Sequence, residues 1–356
     1  MAKQVHKENG VPGCRAPRSL LRAARVRKIL RPIMILGRSF WGWMSQAENG
    51  GLKFMNKKRK KRRNYLLFIS PGFIMYSIFI IVPIIYVVYL SFFHWNGLTE
   101  KTFAGLSNFQ LLFTDQKIAP DFWHAVGNNL KYLLCIWFIV TPLQFLTAYF
   151  FYIKIPAYRY IKFMVFMPYV ISSTIVSFFA TMIFNPNIGI LNRILKMAGL
   201  PQGSWFGDIH QAFKLFILIV LWQSAGSGMM IFYSNLLDIP KDVLEACSID
   251  GATEWQKFWR ILVPLSLPSC ASTIIMSTIW ALSVFDLPYI LVGSTGGVRG
   301  VLDFVNLVFY RYTFGSVLNA QSNYGFGAAI STVMLFVIAV VTAIQNKVLS
   351  RFEYEN

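Results

Sequence analysis

The polar side chains that could do chemistry in this sequence mostly interrupt long apolar stretches. They are amides, hydroxyls and one carboxylate, with two aromatic residues nearby: Gln144, Gln223, Ser224, Ser227, Ser277, Ser283 and Asp286, with Trp280 and Tyr289. Polar groups inside apolar segments are costly, so they tend to face one another or an internal cavity. These residues therefore suit hydrogen bonding to a bound molecule. Ordinary close packing of helices through small polar residues is the open alternative.

Motifs for catalysis, nucleotide binding or metal binding are absent from the sequence. It contains no G-x-x-x-x-G-K-[ST], and therefore no P-loop for ATP. It contains no G-x-S-x-G and no H-E-x-x-H, which carry hydrolase and metalloprotease chemistry. No pair among the four cysteines has metal-ligand spacing, and there are only four histidines. We therefore expect no enzyme activity, no metal site and no cofactor held by this chain.

Six apolar stretches have the length that a bilayer core requires, about 20 residues. Hydrophobic residues make up 55% of the 356 residues and charged residues 14%, which is too few charges for a soluble domain. Short alternating segments typical of β-barrels are not found. The sequence predicts an all-α membrane protein with six transmembrane helices, at 65–93, 130–153, 161–184, 211–237, 269–292 and 328–347.

Positive charge is concentrated at the N-terminal end. Residues 1–63 hold 18 Lys and Arg with two Glu, a net charge of +16 out of +19 for the chain. The run from Lys57 to Arg63 directly precedes the first apolar stretch, so we predict a cytoplasmic N-terminus and, after six spans, a cytoplasmic C-terminus. We interpret the run as a topology signal rather than a nucleic-acid site.

The chain divides by composition into a basic cytoplasmic segment, 1–63, and a six-helix transmembrane domain, 64–356. Our hypothesis for 1–54 is that translation starts at Met55, because "MNKKRKKRRNYLLF" is an ordinary beginning for a membrane protein and residues 1–54 would then not be made in vivo. The alternative is a basic amphipathic segment on the membrane surface.

A charged segment at 238–268 separates the fourth and fifth apolar stretches, and we predict two short helices around a bend there. Pro240 suits the first helical position, with Asp238 as a candidate cap. Residues 241–249 can form about two turns. Gly251 can adopt positive φ and stop that helix.

The second short helix is predicted from a capping-box pattern, Thr253-x-x-Gln256. Four apolar residues at helical spacing follow and predict one apolar face: Trp255, Phe258, Trp259 and Leu262. Two interpretations remain open from the residues alone. The segment is either an interfacial hairpin that joins two spans or a docking element for a cytoplasmic partner.

The stretch "EACSIDGATEWQKFWRILVPLSLP" closely resembles the EAA motif of ATP-binding-cassette (ABC) importer permeases. The matching positions are Glu245, Ala246, Asp250, Gly251, Ala252, Phe258, Ile261 and Pro264. Cys247 departs from the motif, because alanine is usual there, and Val263 replaces a common leucine. "FAGLSNFQLLF", "NPNIGILNRIL" and "SVFDLPYILVGSTGG" also resemble the maltose-type (MalF-like) carbohydrate permeases. The resemblance extends from about residue 65 to the end.

This resemblance implies a type I ABC importer permease-like fold in the bacterial plasma (inner) membrane. It implies that loop 238–268 holds a coupling helix gripped by an ATPase, with Glu245 as a polar contact and Gly251 as the bend. The implied partners are a second permease subunit in a heterodimer, two cytoplasmic ABC ATPase subunits that use ATP, and an extracytoplasmic solute-binding protein. The outer loops 94–129, 185–210 and 293–327 would receive that binding protein.

The same resemblance implies a sugar or oligosaccharide as cargo, moved by alternating access. It favours cargo contacts from the spans that flank the loop: Gln223, Ser224, Ser227, Ser277 and Trp280. Asp286 is interpreted as a structural or gating carboxylate. The alternatives are glycerol phosphate or another sugar derivative as cargo, or an ion-coupled secondary carrier. Few intramembrane ionisable residues and no evident inverted repeat count against the carrier.

Overall fold

The computed structural model describes residues 65–315 and 322–349, and most of these residues are helical. The predictions for residues 1–64, including the basic run and the Met55 start, lie outside the described residues. The chain divides into one compact unit that ends at Val82 and a second that begins at Pro83. All the side-chain contacts discussed below lie within the second unit.

Besides two short 3-10 helices, Trp205–Gly207 and Val298–Gly300, the described residues form thirteen helical segments. They are α1 Tyr65–Leu90, α2 Ser107–Thr114, α3 Ile118–Tyr152, α4 Tyr158–Val170, α5 Ser173–Ile183, α6 Ile190–Met197, α7 Ile209–Asp238, α8 Lys241–Ile249, α9 at 254–265, α10 Leu267–Leu282, α11 Asp286–Val292, α12 Val305–Phe314 and α13 Tyr324–Leu349. A two-stranded antiparallel hairpin, β1 Phe93–His94 and β2 Thr102–Phe103, follows α1 and is a small departure from the all-α prediction.

The predicted number of six spans is confirmed when one bent pair of helices is counted as a single span. Five segments are long and apolar enough to cross a membrane alone: α1, α3, α7, α10 with α11 (Cys270–Val292), and α13. The predicted third span, 161–184, is wrong as one helix, because α4 and α5 are bent by 96°. The predicted second span also began too late, since α3 begins at Ile118.

Prolines explain most of the irregularities of these helices. A π-helical turn lies just before Pro83, Pro142 and Pro264, at Ser77–Ile81, Ile136–Val140 and Phe258–Leu262. Proline has no N–H to donate and its ring crowds the carbonyl four residues earlier, so a wider turn relieves that contact. Pro168 lies inside α4, three residues before its extended C-cap Ile171, where the chain turns toward α5.

Two asparagines on α3 hold the segment that follows α11 in place through side-chain hydrogen bonds to its backbone. Asn128 Nδ2 donates to the carbonyls of Gly300 (3.0 Å) and Asp303 (2.9 Å). Asn129 Oδ1 accepts from the amide of Val305 at 3.0 Å, at the start of α12. Both asparagines are buried. Their amides therefore satisfy backbone groups that a loop at the end of a bundle would otherwise leave unpaired.

A buried ion pair lies in the same region. Arg311 Nη2 lies 2.9 Å from Asp303 Oδ2, and both side chains are almost fully buried. Asp121 Oδ2, on α3, is 3.4 Å from the same guanidinium nitrogen. Burial raises the pKa of Asp303 to about 6, and the hydrogen bonds from Arg311 oppose that rise. The pair ties α12 to the segment before it.

Breaking this ion pair from one side should strongly destabilise the protein. We expect Arg311→Met to cost about 3–5 kcal/mol, because it leaves the Asp303 carboxylate buried without its partner. Arg311→Met combined with Asp303→Leu should recover most of that loss, since neither charge then remains. The thermal midpoint of the detergent-solubilised protein measures both effects. Arg299→Met, at an exposed arginine, is the control. A double variant no more stable than Arg311→Met would contradict the prediction.

Candidate functional site

Loop 238–268 folds as the two short helices predicted from the sequence. α7 ends at Asp238, α8 covers Lys241–Ile249, and Gly251 adopts a φ of +79° between α8 and α9. The predicted start of α8 was wrong in detail. Pro240 is its N-cap rather than its first helical residue, and no side chain caps it, so Asp238 does not act as predicted.

The bend at Gly251 is set by backbone geometry alone. A Cβ built at Gly251 would meet nothing within 4 Å, while its positive φ is strained for most L-residues. The predicted capping box then starts α9: Gln256 N donates to Thr253 Oγ1 (3.3 Å) and Thr253 N to Gln256 Oε1 (2.9 Å). Adjacent turn and cap signals thus fix where one helix stops and the next begins.

The residues of the EAA motif on α8 point away from the protein. α8 has no buried residue, and Glu245, Ala246 and Asp250 are exposed, while Ala252 is half-buried. Within the part of the chain that the structure describes, Glu245 forms no ion pair. The exposed surface of α8 therefore carries the carboxylate of Glu245, which is not paired with a cation among the described residues.

α9, in contrast, is rooted in the helical bundle. Phe258 and Leu262 are buried in a cluster with Phe151 of α3 and Phe232 of α7. The ring of Phe258 lies 4.5 Å from that of Tyr149, centroid to centroid. Phe258 also contacts the rings of Trp255 and Trp259, at centroid distances of 5.8 and 5.1 Å, so the predicted apolar face is found, with only part of it buried.

The two tryptophans of that predicted face, Trp255 and Trp259, remain exposed. Pro264, the last matched residue of the motif, is half-buried just after the π-helical turn of α9.

α7 packs unusually close to two other helices. Gly228 faces the Gln144 side chain of α3, and a Cβ on Gly228 would collide with that amide. A Cβ on Gly226 would lie 2.7 Å from the Cα of Phe166 in α4. Gln144 Nε2 donates to the Ser224 carbonyl at 2.7 Å. Small residues at α7 thus allow a close approach and an interhelical hydrogen bond, as in many membrane helix pairs.

Gln223, a predicted cargo contact, links α7 to the bend between α4 and α5. Its Nε2 donates to the carbonyl of Ile171 (3.2 Å) and to Ser173 Oγ (3.1 Å). The bend exposes backbone groups that lack helical partners. Gln223 satisfies one of them, so its amide has a structural partner in this conformation.

The three predicted serines use their hydroxyl hydrogens within their own helices. Ser224 donates to Val220 O (2.7 Å), Ser227 to Ser224 O (3.0 Å) and Ser277 to Ile274 O (2.9 Å). Such bonds to the preceding turn are common for serine in helices. Each oxygen keeps acceptor capacity, so a bound hydroxyl group could still donate to it.

Trp280 and Asp286 lie apart from this polar group. Trp280 is 72% exposed on α10, and Asp286 is exposed in the first turn of α11, after the break at 283–285. Among residues 65–315 and 322–349, no hydrogen bond joins either side chain to Gln223, Ser224 or Ser227. The structure therefore brings together Gln144, Gln223 and Ser224, but not the whole predicted set.

One buried polar contact was missed from the sequence. Thr278 Oγ1 accepts from Trp137 Nε1 (3.1 Å) and from Gln345 Nε2 (2.9 Å), which joins α10 to α3 and α13. The signal was present, since a threonine and a glutamine interrupt apolar stretches. Threonine is too common in membrane helices for its presence alone to identify a contact.

The chain matches the family model described as binding-protein-dependent transport system inner membrane component over residues 141–353. It is 32% identical over 289 residues to the probable ABC transporter permease protein YurN of Bacillus subtilis, covering 79% of this chain and 94% of that protein. It is 31% identical to the arabinooligosaccharides transport system permease protein AraP of Bacillus subtilis, covering 83% and 91%.

A further relative is the multiple sugar-binding transport system permease protein MsmF of Streptococcus mutans. It is 30% identical, and the match covers 80% of this chain and 95% of MsmF.

A solved structure has the same fold. It is the bacterial alginate ABC transporter in complex with an alginate pentasaccharide-bound periplasmic protein, and one chain superposes with a TM-score of 0.69 at 21% identity. The superposition covers 82% of this chain and 96% of that chain. Since the family model covers more than half of the sequence and the relatives are matched over nearly their full lengths, this chain belongs to the family of binding-protein-dependent transport system inner membrane components.

Proposed function

We propose that this chain is one permease subunit of an ABC importer that moves a sugar or oligosaccharide across the bacterial plasma membrane, with both termini in the cytoplasm. The observation that carries this proposal is the arrangement of loop 238–268, in which the exposed helix α8 is followed by the bend at Gly251 and then by α9, which is anchored in the bundle by buried side chains. Such a loop suits transmission of force from a partner that grips α8. The ATP is then used by that partner, not by this chain.

The names of several relatives support a sugar as cargo. They are described as permease proteins for multiple sugars, arabinooligosaccharides and lactose, and the structural neighbour is an alginate transporter. Glycerol phosphate or another sugar derivative is the second candidate. In this proposal a heterodimeric second permease subunit, two ATPase subunits and an extracytoplasmic binding protein complete the importer.

The contacts suggest how movement of α8 would reach the cargo pathway. α8 continues from α7 after two residues, and α9 is anchored on α3 and α7 through Phe258. α7 is joined to α3 by Gln144 and to the bend between α4 and α5 by Gln223. A displacement of the loop would therefore move these helices together, which is the rigid-body rocking that alternating access requires.

The residues proposed to contact cargo divide into two kinds. Four of them already donate hydrogen bonds in this structure: Gln223, Ser224, Ser227 and Ser277. When cargo is present, they would accept hydrogen bonds from it, or give up the present bond and donate to the cargo instead. Trp280 is free to stack on a sugar ring. Asp286, at the break before α11, is proposed as a gating carboxylate rather than a ligand.

A co-purification experiment tests the proposed function. A C-terminally tagged chain, extracted from its own membrane in mild detergent, should recover an ATPase and a second permease. Uptake of labelled saccharides by the intact cells should stop when ATP is depleted. Uptake that survives ATP depletion would support an ion-coupled carrier. A chain that purifies alone and folded would contradict the importer proposal.

A substitution at Gly251 tests coupling, because a Cβ at this position would meet no other atom within 4 Å and so causes no clash in this chain. We expect Gly251→Val to lower uptake at least about tenfold, since a β-branched residue resists positive φ and would re-aim α8. Gly251→Asn is the matched control, because asparagine tolerates this conformation. Uptake and ATPase recovery are measured for both variants. Normal uptake by Gly251→Val would exclude a role for the bend in coupling.

Two exposed glutamates in the same loop allow a second test. We expect Glu245→Gln to reduce ATPase recovery several-fold, because a charge-assisted contact is worth about 1.5–3 kcal/mol. Glu254→Gln should change recovery little, since the Glu254 carboxylate is already paired with Lys257 of its own helix at 2.7 Å rather than being available to a partner. The ratio of ATPase to permease in the purified complex distinguishes them. Equal effects of the two substitutions would argue against a specific role for Glu245.

A further inference from the structure

A continuous row of aromatic rings runs between two polar regions of the second unit. We call it the aromatic strip, and its members are Phe285, Tyr289, Tyr310, Phe314, Tyr324 and Trp95. Neighbouring ring centroids are 5.1 Å apart for Phe285 and Tyr289, and 5.0 Å apart for Tyr289 and Tyr310. The next steps are 5.2 Å to Phe314, 5.7 Å to Tyr324 and 5.6 Å to Trp95.

Each ring of the strip keeps part of its surface open. None of the six is buried, and Phe314 in the middle is 52% exposed. The rings are held by their neighbours: Tyr289 and Tyr310 share a hydrogen bond of 3.3 Å between their hydroxyls. A fixed row of half-open rings is unlike a hydrophobic core, in which rings are closed off from solvent.

One end of the strip opens into a polar cavity of about 550 Å³. Its lining includes Trp95 itself with polar groups from the β1–β2 hairpin and the start of α13: His94, Asn96, Thr99, Glu100 and Asn323. At the other end, Phe285 lies in the break between α10 and α11, beside the exposed Ser283 and Asp286. The strip thus connects two places rich in hydrogen-bonding groups.

The outer end of the strip is built from specific contacts. Gly97 has a φ of +88°, and a Cβ there would lie 2.6 Å from the Tyr324 ring, so only glycine lets this ring pack on the hairpin. The amide of Gly325 donates to the Trp95 carbonyl at 3.2 Å. These contacts fix Trp95 and Tyr324 relative to each other before any ligand arrives. Such preorganisation lowers the cost of binding.

We propose that the aromatic strip is a binding surface for a neutral oligosaccharide, which enters at the polar cavity and passes along the rings to the break before α11. This proposal rests on the proposed sugar import and adds a site to it. A sugar has apolar C–H faces that stack on rings and hydroxyls at its edges that need polar partners. A site of half-open rings with polar groups at both ends offers both kinds of contact.

The strip should contribute most to long saccharides, because they cover several rings at once. The experiment measures kcat/KM for ATP-dependent uptake of labelled maltose and maltotetraose, and of lactose and an arabinotetraose, by the complete transporter. For the imported tetrasaccharide we expect Phe314→Leu to lower kcat/KM about 5- to 10-fold, and for the disaccharide less than about twofold. Phe314→Tyr, which keeps the ring, should restore uptake to within about twofold of the wild type.

Phe178→Leu is the matched control, because Phe178 is 53% exposed on α5 and lies outside the strip. Its kcat/KM should remain unchanged for every sugar. If none of these saccharides is imported by the wild type, the proposed function fails and this inference fails with it. If tetrasaccharide uptake is normal in Phe314→Leu, only the strip is excluded. Two further results would overturn the proposal and assign the rings to subunit contact. One is an equal loss of kcat/KM for short and long sugars in Phe314→Leu. The other is loss of the second permease from the purified complex of that variant.

Discussion

The close packing of α7 against α3 and α4 is the contact on which the rest of the second unit depends. In a bilayer the hydrophobic effect does not drive helices together, so short distances and interhelical hydrogen bonds must do so. Gly226 and Gly228 remove the side chains that would hold α7 away, and Gln144 adds a hydrogen bond to the Ser224 carbonyl. A larger residue at either glycine would separate α7 from its neighbours and release the groups that these helices position.

Two other features rely on this contact. Gln223 reaches the bend between α4 and α5 only because α7 lies directly beside α4. Phe258 and Leu262 find a buried pocket only because the ends of α3 and α7 lie together. The rooted helix of the loop and the bend inside the bundle are therefore connected through one pair of helices. This arrangement suits a protein that must turn movement at its surface into movement at its centre.

Sequence patterns predicted the features that depend on neighbours along the chain. The apolar stretches, the capping box at Thr253 and the positive φ of Gly251 are all local, and each was found. The features that were missed or misjudged depend on distant residues. Whether Trp255 or Phe258 becomes buried depends on Tyr149 and Phe232, which lie far away in sequence. The partners of Gln223 and Thr278 likewise belong to other helices, and no pattern within α7 or α10 specifies them.

The π-helical turns before Pro142 and Pro264 have a mechanical consequence. A π turn holds one residue more than the regular helix needs, so the helix can take up or release that residue by shifting a few hydrogen bonds rather than by unfolding. One such turn lies in α9 and another in α3, the helix on which α9 is anchored. The contact between the loop and the bundle therefore involves two helices that each contain such a turn. Each of these turns is a place where a change of helical register can be accommodated locally.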